Sequence, residues 1–286
     1  MLSEFAPAKV NLFLSIIKKR DDNYHDIGTM FHTVSCGDTL FGELGHSGQI
    51  SISYSSPQEY QPEDDLVYKA AVMLKEKYKV SSGVHFYLEK NLPLRAGLGG
   101  GSSDAAAALR LLNKLWNLNA STKDLEKIGA SLGADVPFFI KGGAALAEGI
   151  GDSLTQQNPI NGDNCIVLIA TPWCSVPTEK AYANIVPMGK SRWQNFVSYV
   201  KSNAAPNPLD DSWKLFNQFE EFVLLKYPLI VSLRQRLNDF GGKSLLSGSG
   251  SSVFSVFASL ENAAKAYDSV REDCRFLRIA RFFTST

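Results

Sequence analysis

The 286-residue chain predicts an α+β fold in two domains, and three observations carry that prediction. At roughly 150 residues per domain, the length corresponds to about two. The first half interleaves strand-like alternation with glycine loops and helical stretches. The second half reads strand, helices, two strands around a Gly-Ser loop, helix and strand, a split β-α-β order. A polar stretch around Gln156–Asp163 separates the halves, which sets the domains at 1–157 and 158–286.

Val10, Leu12, Leu14 and Ile16 alternate with Lys9, Asn11 and Phe13, the pattern of a strand with one buried face. Strand alternation also sends the side chains of Lys9 and Asn11 the same way. After the turn-rich Asp21–Asp22–Asn23, short strands are expected at 28–42 and 48–54. Leu66, Val67, Ala70, Ala71, Leu74 and Tyr78 have helical spacing and predict a helix over 65–79, and Val84, Phe86 and Leu88 then alternate as a strand. A glycine loop follows, opening an Ala/Leu helix with Ser103 or Asp104 as its cap. The next helix starts at Ser121, with Asp124 three residues on, and ends near Gly133. Beyond the boundary, the sequence predicts a strand at 165–170, a helix from about Thr178, a polar insert at 201–212, and helices near 213–225 and 229–239. Strands at 243–247 and 252–257, a helix at 260–272 and a strand at 275–283 complete the chain.

Lys plus Arg and Asp plus Glu both count 29, so the formal charge is zero and a broad phosphate-gripping nucleic-acid surface is not expected. The composition, 44% hydrophobic and 20% charged, is that of a chain with a sizeable core rather than a disordered one. No apolar run approaches the roughly 18 to 20 residues of a membrane span. The N-terminal segment places its basic residues after its apolar run and does not read as a signal peptide. Cys36, Cys165, Cys174 and Cys274 are scattered without metal-ligand spacing, which fits a reduced cytoplasmic setting.

The most informative segment is Pro93, Leu94, Arg95, Ala96, Gly97, Leu98, Gly99, Gly100, Gly101, Ser102 and Ser103, running into the Ala/Leu helix. Glycine-freed N–H groups ending on a helix N-terminus, which carries the equivalent of roughly half a positive charge, suit a phosphate chain. The segment is not a Walker A loop: the tripeptides at Gly189 and Gly242 that read Gly-Lys-Ser have Asn184 and Leu237 where the first glycine belongs. The dinucleotide pattern fails at Ser102, and no GxSxG elbow occurs. Taken alone, Lys9 reads as a solvated lysine on an edge strand and Asp135 as a loop aspartate before Pro137. His32, His46 and His85 read as ordinary surface or satisfied histidines.

Three segments, Pro7–Leu12, PLRAGLGGGSSDAA at 93–106 and LLSGSGSSVF at 245–254, resemble the motifs of the GHMP small-molecule kinases. Asn23–Tyr24–His25, Gly133–Phe138 and Ala147–Gly151 resemble the branch of that family acting on methylerythritol linked to cytidine diphosphate, and the likeness runs from about residue 5 to 283. It implies an N-terminal S5-like α/β domain that binds ATP and a C-terminal ferredoxin-like α/β domain. It also implies transfer of phosphate from ATP to a hydroxyl of that substrate, giving a 2-phosphate for isoprenoid precursors by the non-mevalonate route. Lys9 and Asp135 match the catalytic pair, residues 93–103 the ATP loop, and Asn11, Tyr24, His25, Thr178 and Tyr182 the substrate contacts. Tyr24 and Tyr182 match the two rings that flank the cytosine. Mg2+ is expected with ATP; no acidic cluster declares its ligands, and Ser103 and Glu148 are the candidates. The implied partners are these small molecules, with neither nucleic acid nor membrane. A homoserine or mevalonate kinase, and a family member that binds without catalysis, remain the alternatives. Asn23 and Arg95 stand where relatives commonly have glycine, and Asp65 where they have an asparagine near the adenine.

Overall fold

The alternation from Ala6 to Ile17 builds a strand, and with both of its faces covered almost every residue along it is buried. The computed structural model describes residues 1–45, 48–160, 165–202, 207–213 and 215–284. In chain order the elements are β1 (Leu2–Lys19), β2 (His25–Gly45), β3 (Ile50–Tyr54), α1 (Leu66–Tyr78), β4 (Gly83–Glu89), α2 (Gly100–Leu115), α3 (Thr122–Leu132), α4 (Val136–Lys141), β5 (Ala144–Glu148) and β6 (Ser153–Gln157). They continue with β7 (Ile166–Pro172), α5 (Thr178–Ala183), α6 (Ser191–Ser202), β8 (Phe216–Asn217), α7 (Glu220–Lys226), α8 (Pro228–Asp239), β9 (Lys243–Leu246), β10 (Val253–Phe257), α9 (Leu260–Val270) and β11 (Cys274–Arg281). Among the described residues no helix is long and apolar enough to cross a membrane.

By proximity the chain forms two compact units that interleave along the sequence. The first holds Met1–Ala8, Gly37–Leu94 and Gly99–Lys141, and the second Lys9–Cys36, Arg95–Leu98 and Gly142–Thr286. The long strands β1 and β2 therefore contribute to both.

In the first unit, β4 pairs antiparallel with the end of β2 and parallel with β3. Helices α1 to α4 pack on one another, burying Val67, Leu74, Leu109, Leu112, Leu125 and Phe138. Asp65 caps α1 by accepting from the Val67 N–H at 2.8 Å, and Ser121 and Asp124 form a reciprocal capping box on α3. Arg110 on α2 donates to Glu4, to the Phe5 carbonyl and to the Phe139 carbonyl, tying β1 and α4 to the helix. Lys90 lies between the buried carboxylates of Asp38 and Asp104 at 2.5 and 2.6 Å. Burial alone would lower the Lys90 ammonium, but Asp104 and Asp38 hold it above its ordinary value. One cation shared by two carboxylates leaves a net negative charge. Burial first, with Asp38 adding to it, pushes Asp104 well up, against the pull of Lys90.

In the second unit, the antiparallel sheet β11-β7-β10-β9 is covered by α8 and α9, the split β-α-β order expected from the sequence. Its core joins Leu168, Ala170, Leu233, Leu237, Phe257 and Ala266, among others. β5 pairs with β2 and with β6, and β8 runs parallel to β1 through Phe13–Phe216 and Leu14–Asn217. His32 is fully buried. Its Nδ1 bonds the Thr33 carbonyl at 2.8 Å and its Nε2 accepts from the Ile160 N–H at 3.0 Å, which fixes a neutral ring with the proton on Nδ1.

Four sequence expectations change. The strand through Lys9 has two buried faces: Lys9, Asn11 and Phe13 are covered as well as Val10, Leu12 and Leu14. The cap of α2 is Gly99 at φ +72°, so Ser103 and Asp104 fall inside the first helical turns. Residues 216–217 are a strand rather than helix, since Asn217 spends its side-chain amide on the Leu246 and Gly248 carbonyls; α7 starts only at Glu220. The polar boundary stretch begins inside strand β6. Residues 161–163 of that stretch, 203–206 of the polar insert, and His46 lie outside the described residues.

Two stability predictions follow from the buried charges. Lys90→Met leaves both carboxylates without their cation and should lower the unfolding free energy in urea by about 3–5 kcal/mol. Burial depresses His32 from 6.5 to about 4, so below pH 6.5 the unfolded chain takes up a proton that the folded chain refuses. Stability from this group is complete above pH 6.5 and falls as the pH drops towards 4, by on the order of 3 kcal/mol. Urea unfolding at pH 7 and pH 4.5 should show a shallower pH dependence for His32→Gln than for the parent; equal dependence in the two proteins refutes the assignment.

Candidate functional site

In the second unit, β1 places Lys9 and Asn11 on one face, as the alternation requires, and both are buried, with Lys9 4% exposed. The Lys9 ammonium donates to Asn11 Oδ1 at 2.6 Å and lies 5.2 Å from the centroid of the Phe31 ring. The Gly248 N–H donates to the same oxygen at 2.9 Å. Asn11 Nδ2 donates to Thr29 Oγ1, and that hydroxyl donates to the Phe13 carbonyl. Thr29 carried no signal in the sequence; its position opposite β1 is a product of strand pairing.

The segment Arg95–Leu98 is laced to the same place. The Lys9 N–H donates to the Leu98 carbonyl, the Ser252 N–H to the Ala96 carbonyl, and Ser247 Oγ to the Gly97 carbonyl at 2.9 Å. Gly97 has φ +78° and no room for a side chain, because a Cβ there would overlap the Ser247 carbonyl oxygen. Arg95 is at φ +52°, a left-handed conformation that costs a non-glycine residue about 1 kcal/mol and that glycine would adopt freely. Asn23 takes φ +67° in a turn closed by the Arg20 N–H to the Tyr24 carbonyl, so asparagine serves there in place of glycine.

The base-side residues also fall in the second unit. The His25 ring stacks on Tyr182 with centroids 5.0 Å apart, and Tyr182 meets Phe219 edge-on. Burial and the Lys19 ammonium lower the His25 pKa, which leaves a neutral ring able to donate and accept at neutral pH. Tyr24, at the adjoining turn, is 61% exposed. Thr178 Oγ1 and Ser249 Oγ share a hydrogen bond of 3.0 Å.

The first unit holds the rest of the predicted site. Gly99, Gly100, Gly101, Ser102 and Ser103 cap and open α2, where the first N–H groups have no partner within the helix. Ser103 Oγ is buried with no hydrogen-bond partner among the described residues, and space above Gly101 is open. Asp135 is half-buried and directly precedes α4; the neighbouring Gly133 lies against Ser102 on the first turn of α2. Lys9 and Asp135 thus belong to different units. Asp65 accepts from the Tyr54 and Tyr60 hydroxyls at 3.1 and 3.0 Å in addition to capping α1. Burial first, then the Asp65 carboxylate, pushes both phenols up. Sequence reading missed this pair because Tyr54 closes β3 and Tyr60 sits in a turn-rich stretch, eleven and five residues from their common partner.

The backbone constraint on the glycine loop is directly testable. Gly97→Ala should lower the unfolding free energy by on the order of 2 kcal/mol or more, whereas Gly101→Ala, whose Cβ meets only a Leu66 methyl at 4.0 Å, should be within about 0.5 kcal/mol of the parent or above it. Chemical unfolding of the two variants measures both.

Residues 65–143 match the GHMP kinases N terminal domain, and residues 204–275 the GHMP kinases C terminal domain. A 4-diphosphocytidyl-2-C-methyl-D-erythritol kinase from Clostridium botulinum (strain Alaska E43 / Type E3) is 36% identical over 269 residues, 93% of this chain and 95% of the relative. The protein of that name from Clostridium beijerinckii is 36% identical over 283 residues, covering 96% of this chain and 98% of its own. A crystal structure of 4-(cytidine 5'-diphospho)-2C-methyl-D-erythritol kinase superposes with a TM-score of 0.80 at 29% identity, covering 99% of this chain and all of that one. A homoserine kinase from Cytophaga hutchinsonii shares the fold, with a TM-score of 0.74 at 20% identity over the whole of this chain and 94% of its own. With more than a third of its residues identical across nearly its full length, the chain belongs to the 4-diphosphocytidyl-2-C-methyl-D-erythritol kinases, within the GHMP kinases.

Proposed function

We propose that this protein transfers the γ-phosphoryl group of ATP to a hydroxyl of 4-diphosphocytidyl-2-C-methyl-D-erythritol, giving its 2-phosphate in the non-mevalonate route to isoprenoid precursors. The full-length likeness to relatives of that name carries the reading. The division at 157/158 into an ATP-binding N-terminal domain and a C-terminal domain is supported by the two family matches, which fall on either side of it. A cytoplasmic setting agrees with four cysteines of which none forms a disulfide among the described residues.

In this reading residues 93–103 hold the ATP phosphates. The support is chemical: α2 opens with unpaired N–H groups, and the buried, unpartnered Ser103 hydroxyl is an orphan that a phosphate oxygen or its metal would satisfy. Among the described residues no group of three or more His, Cys, Asp or Glu could hold a metal, so Mg2+ enters as the companion of the nucleotide, with Ser103 or Glu148 as its protein contact. When bound, the ion would neutralise phosphate charge. Glu148 already accepts from Trp193 Nε1 at 2.6 Å, which leaves its second oxygen for that role.

Asp135 takes the proton of the attacking hydroxyl as the substrate oxygen bonds to the γ-phosphorus and the bond to the β-phosphate oxygen breaks. Lys9 steadies the charge on the group in transfer. A lysine suits that task when it is dry and fixed, and burial together with the bond to Asn11 meets both conditions. Tyr24 and Tyr182 stack the cytosine, His25 reads its edge as a neutral ring, and Asn11 and Thr178 contact the remainder.

Asp135→Asn should lower kcat by about 100-fold to 10,000-fold while ATP affinity stays within a few-fold. Turnover is read by mass identification of the phosphorylated diphosphocytidyl product, with homoserine and mevalonate as alternative acceptors. Parent-like turnover in the variant removes Asp135 as the base, and preference for either alternative acceptor overturns the substrate assignment.

A further inference from the structure

A cavity of about 1000 Å³ opens in the second unit, and none of its lining residues is among those assigned above to ATP or to the cytidyl substrate. It is framed by α6, residues 212–213 and 215–216, α8 and the start of β9, so the predicted polar insert ends on its rim at Ser212. Its volume is at the upper end of the roughly 300–1,000 Å³ typical of small-molecule sites.

The walls are aromatic. Phe13 stacks on Phe196 with centroids 4.2 Å apart and tilts against Phe216 at 5.4 Å, and Trp213 meets Phe196 edge-on at 5.5 Å. These rings hold one another in place, so the cavity is preformed and does not depend on a ligand to order it. The Trp213 indole N–H is buried and donates to nothing among the described residues.

The charges on the lining are cationic. Lys243 is paired with Asp211 and bonded to the Leu209 carbonyl, and Arg234 is paired with Glu220, so each of these carries its own counter-charge. Arg192 differs. Its guanidinium lies 4.3 Å over the Phe216 ring and forms no ion pair among the described residues. An arginine flattened on an aromatic wall keeps its N–H fork free for an acceptor while its apolar face is covered. Among the described residues the lining thus carries a net excess of one positive charge beside an aromatic slot, with Asn195 and Asn238 as further polar groups.

We propose that this cavity is a second ligand site, and that it takes a small amphiphilic anion: an aromatic or similarly flat apolar body lying between Phe196, Trp213 and Phe216, with a phosphate, sulfonate or carboxylate on Arg192. An apolar molecule alone leaves the guanidinium unused, and a bare inorganic anion leaves the aromatic walls uncovered, so the two parts have to be joined. The site is separate from the catalytic residues. None of Lys9, Asn11, Tyr24, His25, Thr178 and Tyr182 lines it.

Isothermal calorimetry on the full chain tests the proposal with 1-naphthyl phosphate as probe, in the presence of saturating non-hydrolysable ATP analogue and cytidine diphosphate. One equivalent should bind with a Kd of about 10–100 µM. Arg192→Gln, at an exposed position, should weaken binding by about tenfold or more while the thermal melt stays close to that of the parent. 1-Naphthol and inorganic phosphate should each bind at least about tenfold more weakly than the joined molecule. Absence of binding up to millimolar probe, loss of binding when the nucleotides are present, equal affinity in Arg192→Gln, or inorganic phosphate binding as tightly as the probe would each overturn it.

Discussion

The side-chain amide of Asn11 is the point through which the Lys9-bearing face of β1 is held. A carboxamide offers one oxygen with two lone pairs and two N–H donors. Here the oxygen takes the Lys9 ammonium and the Gly248 N–H, while the nitrogen gives a proton to Thr29. Each of those partners belongs to a different stretch of chain, so one buried residue relates β1, β2 and the loop after β9. The pattern leaves the amide no freedom to flip. It also ties the site to the register of the strand: sliding β1 by one residue would exchange its two covered faces, driving Lys9 and Asn11 into the apolar packing that surrounds the Val10–Ile16 row. Packing of the core and placement of the lysine are therefore one constraint.

The formal charge of the chain says little about its affinity for anions. Lysines and arginines balance aspartates and glutamates at 29 each, yet the first turn of α2 and the glycine-opened backbone before it present positive potential that no residue count records. The buried charges are managed locally. Lys90 is clasped by two carboxylates, and Asp65 is surrounded by two phenols and a helix N–H. Such clusters fix the first unit around α1 and α2 without changing the net balance.

Much of this architecture was legible in the residues because the signals were local. Helical spacing gave α1 to within a residue at each end, Ser121 and Asp124 announced the α3 capping box, and the order of strands and helices after 165 gave the second sheet. The shared face of Lys9 and Asn11 followed from a period of two. What escaped depended on partners far away in sequence. Nothing near Thr29 says that it will orient Asn11, and nothing near Phe216 says that β1 will claim it as a parallel neighbour and override a helical pattern. The burial of both faces of β1 is likewise a property of the elements laid on it. Gly99 displaced Ser103 and Asp104 as the helix cap because only a glycine enters the left-handed region there without cost, a preference that the hydroxyl and carboxylate residues behind it conceal.

The contact between Gly97 and Ser247 also bears on the birth of the protein. The two residues are 150 positions apart, and the carbonyls of Ala96 and Gly97 have their partners only in the segment that follows β9. On the ribosome, α1 to α4 emerge long before that segment exists, and they close on short-range contacts of their own. The bend at 95–98 has to wait, open, until nearly nine-tenths of the chain has been made. The setting of Lys9 and Asn11 is therefore completed last, when the 247–252 loop reaches back to the first strand and the Gly248 N–H meets the Asn11 amide.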